Sequence, residues 1–292
     1  MLTEQQILQF RTFGFILLKN VLSEDEIQRI NTEFEVKLAS TSSGKSDGEK
    51  TERMSWSSLG PDAPFTSSLL EDSRIVSIVD SLYGEDYYGI SCNASSMVGE
   101  TNWHPDADNL NMHGLKVLCY LQPLNGNNGA LRVIPGSHLN SLHDDIKRIE
   151  MHEPKHDGLT QVAAITDSDA GLDIEAVPAC ACSINPGDLV VFDFRLWHAS
   201  SGGSNNRRMI SMIFIKNAIT LEEEEAVNQS VLKSRRNRAI RAKAAFGKLG
   251  SEYHPDWVAN SDNNPRRQRW IDWMREKGYF EVYDASLTES KK

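Results

Sequence analysis

From Leu115 to His138 the chain reads LKVLCYLQPLNGNNGALRVIPGSH. Two apolar runs, LKVLCYL and ALRVI, are separated by a stretch dense in Asn and Gly and closed by a Pro-Gly turn, the pattern of β-strands with loop chemistry between them. The same texture extends in both directions. YYGISCNASSMV (87–98) precedes it, and CACSI (180–184), DLVVFDF (188–194) and RMISMIFI (208–215) follow, with Gly, Asn or Pro between the runs. Short strands in such succession predict a sandwich or barrel of the jelly-roll kind. The expected class is mainly β with flanking helices, around a double-stranded β-helix (jelly-roll, cupin-like) core.

Outside this core the periodicity turns helical. Thr3 with Gln6 forms a capping box ahead of Ile7, Leu8 and Phe10, and Gly14 ends that helix. Phe15-Ile16-Leu17-Leu18 reads as a strand, and Ser23 with Glu26 caps a helix whose apolar positions are Ile27, Ile30, Phe34 and Leu38. Residues 39–50 offer almost nothing to bury and read as a mobile loop. Trp56 fits either a segment covering a substrate or a plain core anchor. Beyond the strands, LEEEEAVNQSVLKSRRNRAIRAKAAF (221–246) consists largely of strong helix formers, with Glu222 to Glu225 at its start and a solvated basic face from Lys233 to Lys243. A second helix, Pro265 to Lys277, carries Trp270 and Trp273. The reading is one domain over 1–292 in three parts: N-terminal helices and strand (1–86), jelly-roll core (87–217) and helical C-terminal extension (218–292). The extension caps the barrel or forms a dimer interface, leaving monomer and homodimer open.

Thirty-one basic against forty-one acidic side chains give a net charge of −10. That balance argues against a general nucleic-acid or anionic-membrane binder. Cys92, Cys119, Cys180 and Cys182 include no C-x-x-C pair, which fits a reducing compartment better than a disulfide scaffold. No apolar segment is long enough for a membrane span, and MLTEQQILQF lacks the charge and apolar regions of a secretory signal, so a cytoplasmic protein is expected.

Asn102-Trp103-His104-Pro105-Asp106 places an imidazole and a carboxylate two residues apart, on one face if the segment is extended. A lone His-x-Asp is weak and needs a third ligand. His198 supplies the best candidate, because it follows the strand-like DLVVFDFRLW and precedes the loop ASSGGSNN. Two histidines and one carboxylate on a β-scaffold would make the facial triad of non-haem Fe(II) oxygenases, with three coordination positions open. Arg207 and Arg208 then open an apolar strand, where an arginine suits bidentate capture of a carboxylate.

In this order the features resemble the phytanoyl-CoA dioxygenase family of Fe(II)/2-oxoglutarate oxygenases, over about Phe10 to Ile215. FRTFGFILLKNVLSEDEI looks like that family's opening, and Asn128-Gly129-Ala130-Leu131 with Pro135-Gly136-Ser137-His138 is similar to the most specific part of its signature. The resemblance places the metal ligands on His104, Asp106 and His198. His198-Ala199-Ser200 matches the family's HxS element, so Ser200 is expected to touch the cosubstrate. The 2-oxoglutarate arginine falls on Arg207, with Arg208 the alternative if the strand register slips by one. The loop between His198 and Arg207 is about two residues shorter than the family's, which bears on that choice.

The resemblance implies Fe(II), 2-oxoglutarate and O2 as cofactors, release of succinate and CO2, and oxidation of an unactivated C–H bond by hydroxylation, desaturation or ring closure. Asp106 disfavours halogenation, since related halogenases carry a small residue there. No concentrated basic cluster outside the C-terminal helix points to a CoA phosphate site. A small polar substrate, amino-acid-derived or another specialised metabolite, is expected. Two other readings stand beside this one: a non-catalytic jelly-roll binding module, and a cupin-like metalloenzyme that does not use 2-oxoglutarate. His113, His138, His143, His152, His156 and His254 are read as surface or structural residues, and Trp103 and Trp197 as core residues facing away from the ligands beside them.

Overall fold

The computed structural model describes residues 1–42, 54–148, 177–203, 206–246 and 253–281, with the backbone alone for 40–42, 148 and 237–246. The chain opens with α1 (Glu4–Phe13), β1 (Phe15–Leu18) and α2 (Glu24–Ser42). Both capping boxes form: Thr3 and Gln6 bond reciprocally, as do Ser23 and Glu26, and Gly14 ends α1 in the left-handed conformation. The expected loop at 39–50 is corrected at its start, because α2 runs on to Ser42. Nothing between Glu24 and Ser42 breaks a helix, and the next glycine after Gly14 is Gly44. The rest of that stretch, 43–50, lies outside the described residues.

Next come β2 (Met54–Ser57), α3 (Pro64–Ser68), a 3-10 turn (Leu69–Glu71) and α4 (Ser73–Tyr83). The core follows as β3 (Tyr87–Met97), β4 (Thr101–His104), β5 (Gly114–Tyr120), β6 (Leu131–Val133), α5 (Asn140–Arg148), β7 (Cys180–Ala181), β8 (Leu189–Asp193), β9 (His198–Ser200) and β10 (Arg207–Lys216). The chain closes with α6 (Leu221–Phe246), α7 (Pro255–Ala259) and α8 (Pro265–Glu276). Every run read as a strand contains one, although the one inside CACSI is only two residues long.

Two antiparallel sheets make the jelly roll. The larger has the order β1-β8-β5-β10-β3-β2 and the smaller β4-β9-β6-β7. Between them packs an apolar cluster that includes Phe15, Leu118, Tyr120, Leu131, Val133, Val190 and Phe192. The outer face of the large sheet, through Val117, Cys119, Val191, Met212 and Phe214, is covered by apolar residues of the flanking helices, among them Ile30, Phe34, Ile75 and Trp270. Burying each such side chain contributes roughly 1.5–3 kcal/mol, so the helices are part of the folding unit's core rather than appendages. Trp56 belongs to this outer layer, its ring 4.8 Å from Phe34, which makes it an anchor.

The C-terminal extension lies on β3. Trp270 is fully buried, and Trp273 stacks on Tyr88 with ring centroids 4.1 Å apart. Among the described residues no helix is long and apolar enough to cross a membrane.

Candidate active site

His104 ends β4 and His198 begins β9, and the two are directly paired across the small sheet. Their rings come within 4.3 Å, centroid to centroid. Asp106 sits just past the end of β4, so it reaches the site from the turn rather than along a continuing strand. One ligand atom from each of His104, Asp106 and His198 lies within 4.8 Å of the others. The three residues expected to converge do so.

Backbone carbonyls set the tautomer of both imidazoles. His104 Nδ1 is 2.7 Å from the carbonyl of Asn102, and His198 Nδ1 is 2.8 Å from that of Leu196. A carbonyl oxygen only accepts, so each Nδ1 carries the proton and each Nε2 keeps a lone pair for an ion. Burial, helped by the neighbouring His104, pushes His198 down to about 3, so it is neutral at physiological pH. Burial raises Asp106, but Lys116 and the two imidazoles outweigh it and hold the carboxyl at about 2, ionised. Two neutral nitrogens and one carboxylate oxygen form a donor set suited to a divalent first-row metal.

The residues beside the ligands turn the other way. Trp103 and Trp197 pack with Ile134, Ile146 and Ala199 on the outer face of the small sheet, as strand alternation requires. His138 and His143 are held by backbone carbonyls, His138 by that of Arg11 and His143 by those of Ser137 and Arg195. His254 caps α7 and His113 pairs with Glu223. His152 and His156 lie outside the described residues.

The opposite wall is the large sheet, and its register separates the two arginines. Arg207, Met209 and Ser211 alternate towards the small sheet, whereas Arg208 faces outward to Glu35 and lies over Phe34. Arg207 is 3% exposed. Its Nη1 donates to the carbonyl of Gly129 at 2.9 Å, and its Nε has no partner among the described residues. Gly129 is the glycine of the Asn-Gly-Ala-Leu motif. It has φ +98°, and a Cβ there would stand 2.7 Å from Arg207 Nη1, so the motif's glycine makes the seat of the guanidinium. Ser200 Oγ is buried and likewise has no partner among the described residues. A buried guanidinium with no acid beside it among the described residues, and a hydroxyl that none of them engages, fit a ligand carboxylate.

One residue was not singled out from the sequence. Lys116, on β5 between Phe192 and Ile213, sends its ammonium to Asp106, 2.8 Å from Oδ1 and 2.7 Å from Oδ2. The available signal was a lysine in the middle of LKVLCYL, two positions before the inward-facing Leu118.

A profile of the family described as phytanoyl-CoA dioxygenase (PhyH) matches residues 10–210. The chain is 24% identical over 258 residues to dioxygenase FrzG of Cladobotryum sp, covering 76% of this chain and 77% of that protein. It is 23% identical over 246 residues to an ectoine dioxygenase of Sphingopyxis alaskensis, covering 75% and 77%. Among solved structures, AviO1 of Streptomyces viridochromogenes superposes with a TM-score of 0.56 at 20% identity, covering 75% of this chain and 97% of that one. HygX of Streptomyces hygroscopicus, with nickel and 2-oxoglutarate bound, gives 0.57 at 16% identity, covering 76% and 90%. At these identities the superpositions show a shared fold, whereas the family match spans most of the chain and takes in all three candidate ligands together with Arg207. The chain therefore belongs to the phytanoyl-CoA dioxygenase (PhyH) family and is a non-haem iron, 2-oxoglutarate-dependent dioxygenase.

Proposed function

We propose that this chain oxidises an unactivated C–H bond of a small polar metabolite, amino-acid-derived or otherwise specialised, with His104, Asp106 and His198 holding the iron. The observation that carries the reading is the convergence of the three ligands with both imidazoles fixed to offer Nε2. Arg207 takes the far carboxylate of 2-oxoglutarate, and Ser200 donates to the same cosubstrate. Bound iron, 2-oxoglutarate and O2 supply the oxidising equivalent, with release of succinate and CO2. The protein's own part is positioning and exclusion of water.

The inner face of the large sheet supports a polar substrate. By register, Asn93 and Ser211 are neighbours on that face, as are Ser95 and Met209. On β3 that face carries Ser91, Asn93 and Ser95 in succession, and hydroxyl and amide groups suit a partner rich in hydrogen-bonding atoms. Hydroxylation and the alternative outcomes, desaturation or ring closure, share this arrangement.

Fe(II) and 2-oxoglutarate added without oxygen should produce the weak visible charge-transfer band of the chelate, and His104→Ala should abolish it. Folded wild-type protein that binds neither would end the reading. A panel of small polar metabolites scored by succinate release would then identify the substrate class.

A further inference from the structure

The ammonium of Lys116 donates to Oδ1 of Asp106, the carboxylate read above as a metal ligand, and lies 2.7 Å from Oδ2, which accepts no hydrogen bond among the described residues. An ion entering between His104 and His198 must take at least one of those oxygens. Lys116 has little room to withdraw. Its backbone is fixed in the centre of the large sheet, between β8 and β10, and its ammonium lies 5.6 Å from the centroid of the Phe192 ring, which in turn packs against His198. Its side chain is only 18% exposed, and Asp106 is the one acidic group it pairs with among the described residues. A buried ammonium is stable only beside an anion, so it keeps whichever oxygen the ion leaves.

We propose that Lys116 is a positioning residue that confines Asp106 to one metal–oxygen bond and sets the metal affinity below what the three ligands alone would give. The inference rests on the metal reading of the triad. A carboxylate can chelate an ion through both oxygens, and doing so would consume one of the three positions a facial triad leaves open. Those positions are the ones a bidentate cosubstrate and O2 require. With Lys116 bonded to the second oxygen, chelation by Asp106 is blocked and all three stay available.

Removing the ammonium acts on metal affinity in one direction through three routes. The metal-free site loses the ion pair that competes for Asp106, the loaded site loses a neighbouring positive charge, and the second oxygen becomes free to bind. An ordinary outer-shell donor behaves in the opposite way, since losing it typically weakens metal binding about 10–100-fold.

The test uses the full-length protein with Mn(II) as the probe, free of 2-oxoglutarate. Calorimetry gives the affinity, and broadening of the Mn(II) electron paramagnetic resonance lines by 17O-labelled water counts the coordinated waters. Lys116→Met is expected to bind Mn(II) at least about fivefold more tightly, from the loss of a like charge close to the ion. It should also hold one water fewer than wild type and bind 2-oxoglutarate more weakly. Lys116→Arg, which keeps a cation and donors, is expected to return both readings towards wild type. Should the Met variant not fold, Lys116→Gln removes the same charge and is read in the same way. Unchanged or weaker Mn(II) binding with the full water complement would overturn the proposal and leave the metal site standing. Wild-type protein that does not bind Mn(II) at all would overturn the metal reading, and this inference with it.

Discussion

A guanidinium buried to 3% exposure with one carbonyl as its partner among the described residues is an uncomfortable group, and burial with none of their acids beside it draws its proton affinity down. Its position makes sense if a carboxylate completes it, and that argument separates Arg207 from Arg208, which already has Glu35. Arg207→Met should lower 2-oxoglutarate affinity about 100-fold, close to 3 kcal/mol, the worth of a desolvated bidentate ion pair. Arg208→Met should leave it within about threefold, as expected for a charge on the other face. Calorimetry on the Mn(II)-loaded protein measures both, and equal losses in the two variants would refute the assignment. The sequence narrows this choice to two residues but cannot make it, because consecutive strand positions differ only in the face they meet and the face depends on pairing. Lys116 was illegible for a related reason. A lysine in an apolar run reads equally well as a strand's solvent face, and only the fold brings it to a carboxylate ten residues earlier.

At the scale of elements, what the sequence could reveal followed how local the determinant was. Capping boxes, the glycine stop of α1 and the start of α8 at Pro265 depend on neighbours within four residues, and all appear where their residues stand. The small sheet was harder, since β4, β7 and β9 are four residues or shorter and owe their existence to pairing across the chain. The helices on the large sheet also depend on distant partners. Arg74 on α4 joins Glu26 of α2, the N-capping Asp72 and the carbonyl of Val21. The Arg74 hydrogen bond, against some burial, holds the Glu26 carboxyl at about 2. A folded value below the unfolded one means that the contribution is complete above about pH 4.5 and is lost as pH falls towards 2. Arg74 is 40% exposed, so screening limits the pair to about 1 kcal/mol or less. Glu26→Gln should therefore lower the urea midpoint at neutral pH and flatten its decline between pH 4.5 and 2. Some decline should persist, because Asp72 shares the guanidinium and shifts the same way. A wild-type slope in the variant would show that the pair contributes nothing.

For the whole molecule, the consequence of two sheets is a division of labour: the small sheet and its turn hold the three candidate metal ligands, and the large sheet holds Arg207 and Lys116. The C-terminal extension reaches the loop after Asp106 through α6, where Asn109 donates to Gln229 and Lys233 pairs with Asp108, and its α8 packs on the far side of the large sheet. There Trp270 lies against Gly89, so closely that a Cβ at Gly89 would stand 2.7 Å from its ring. Trp270→Ala should then cost about 3–5 kcal/mol of unfolding free energy, as for a large aromatic removed from a packed core. It should nevertheless leave Mn(II) and 2-oxoglutarate affinities within about twofold in the folded fraction, because separated lesions and ligands act additively. Ligands that bind only the native state add stability in proportion to the logarithm of their saturation, about 2.7 kcal/mol at one hundred times Kd. Mn(II) with 2-oxoglutarate should accordingly raise the urea midpoint of Trp270→Ala and of wild type by the same increment. Arg207→Met should keep the part due to metal and lose the part due to 2-oxoglutarate. If Trp270→Ala instead abolished 2-oxoglutarate binding in protein that was still folded, the large sheet could not be the rigid wall that presents Arg207, and the extension would have to be counted as part of the site.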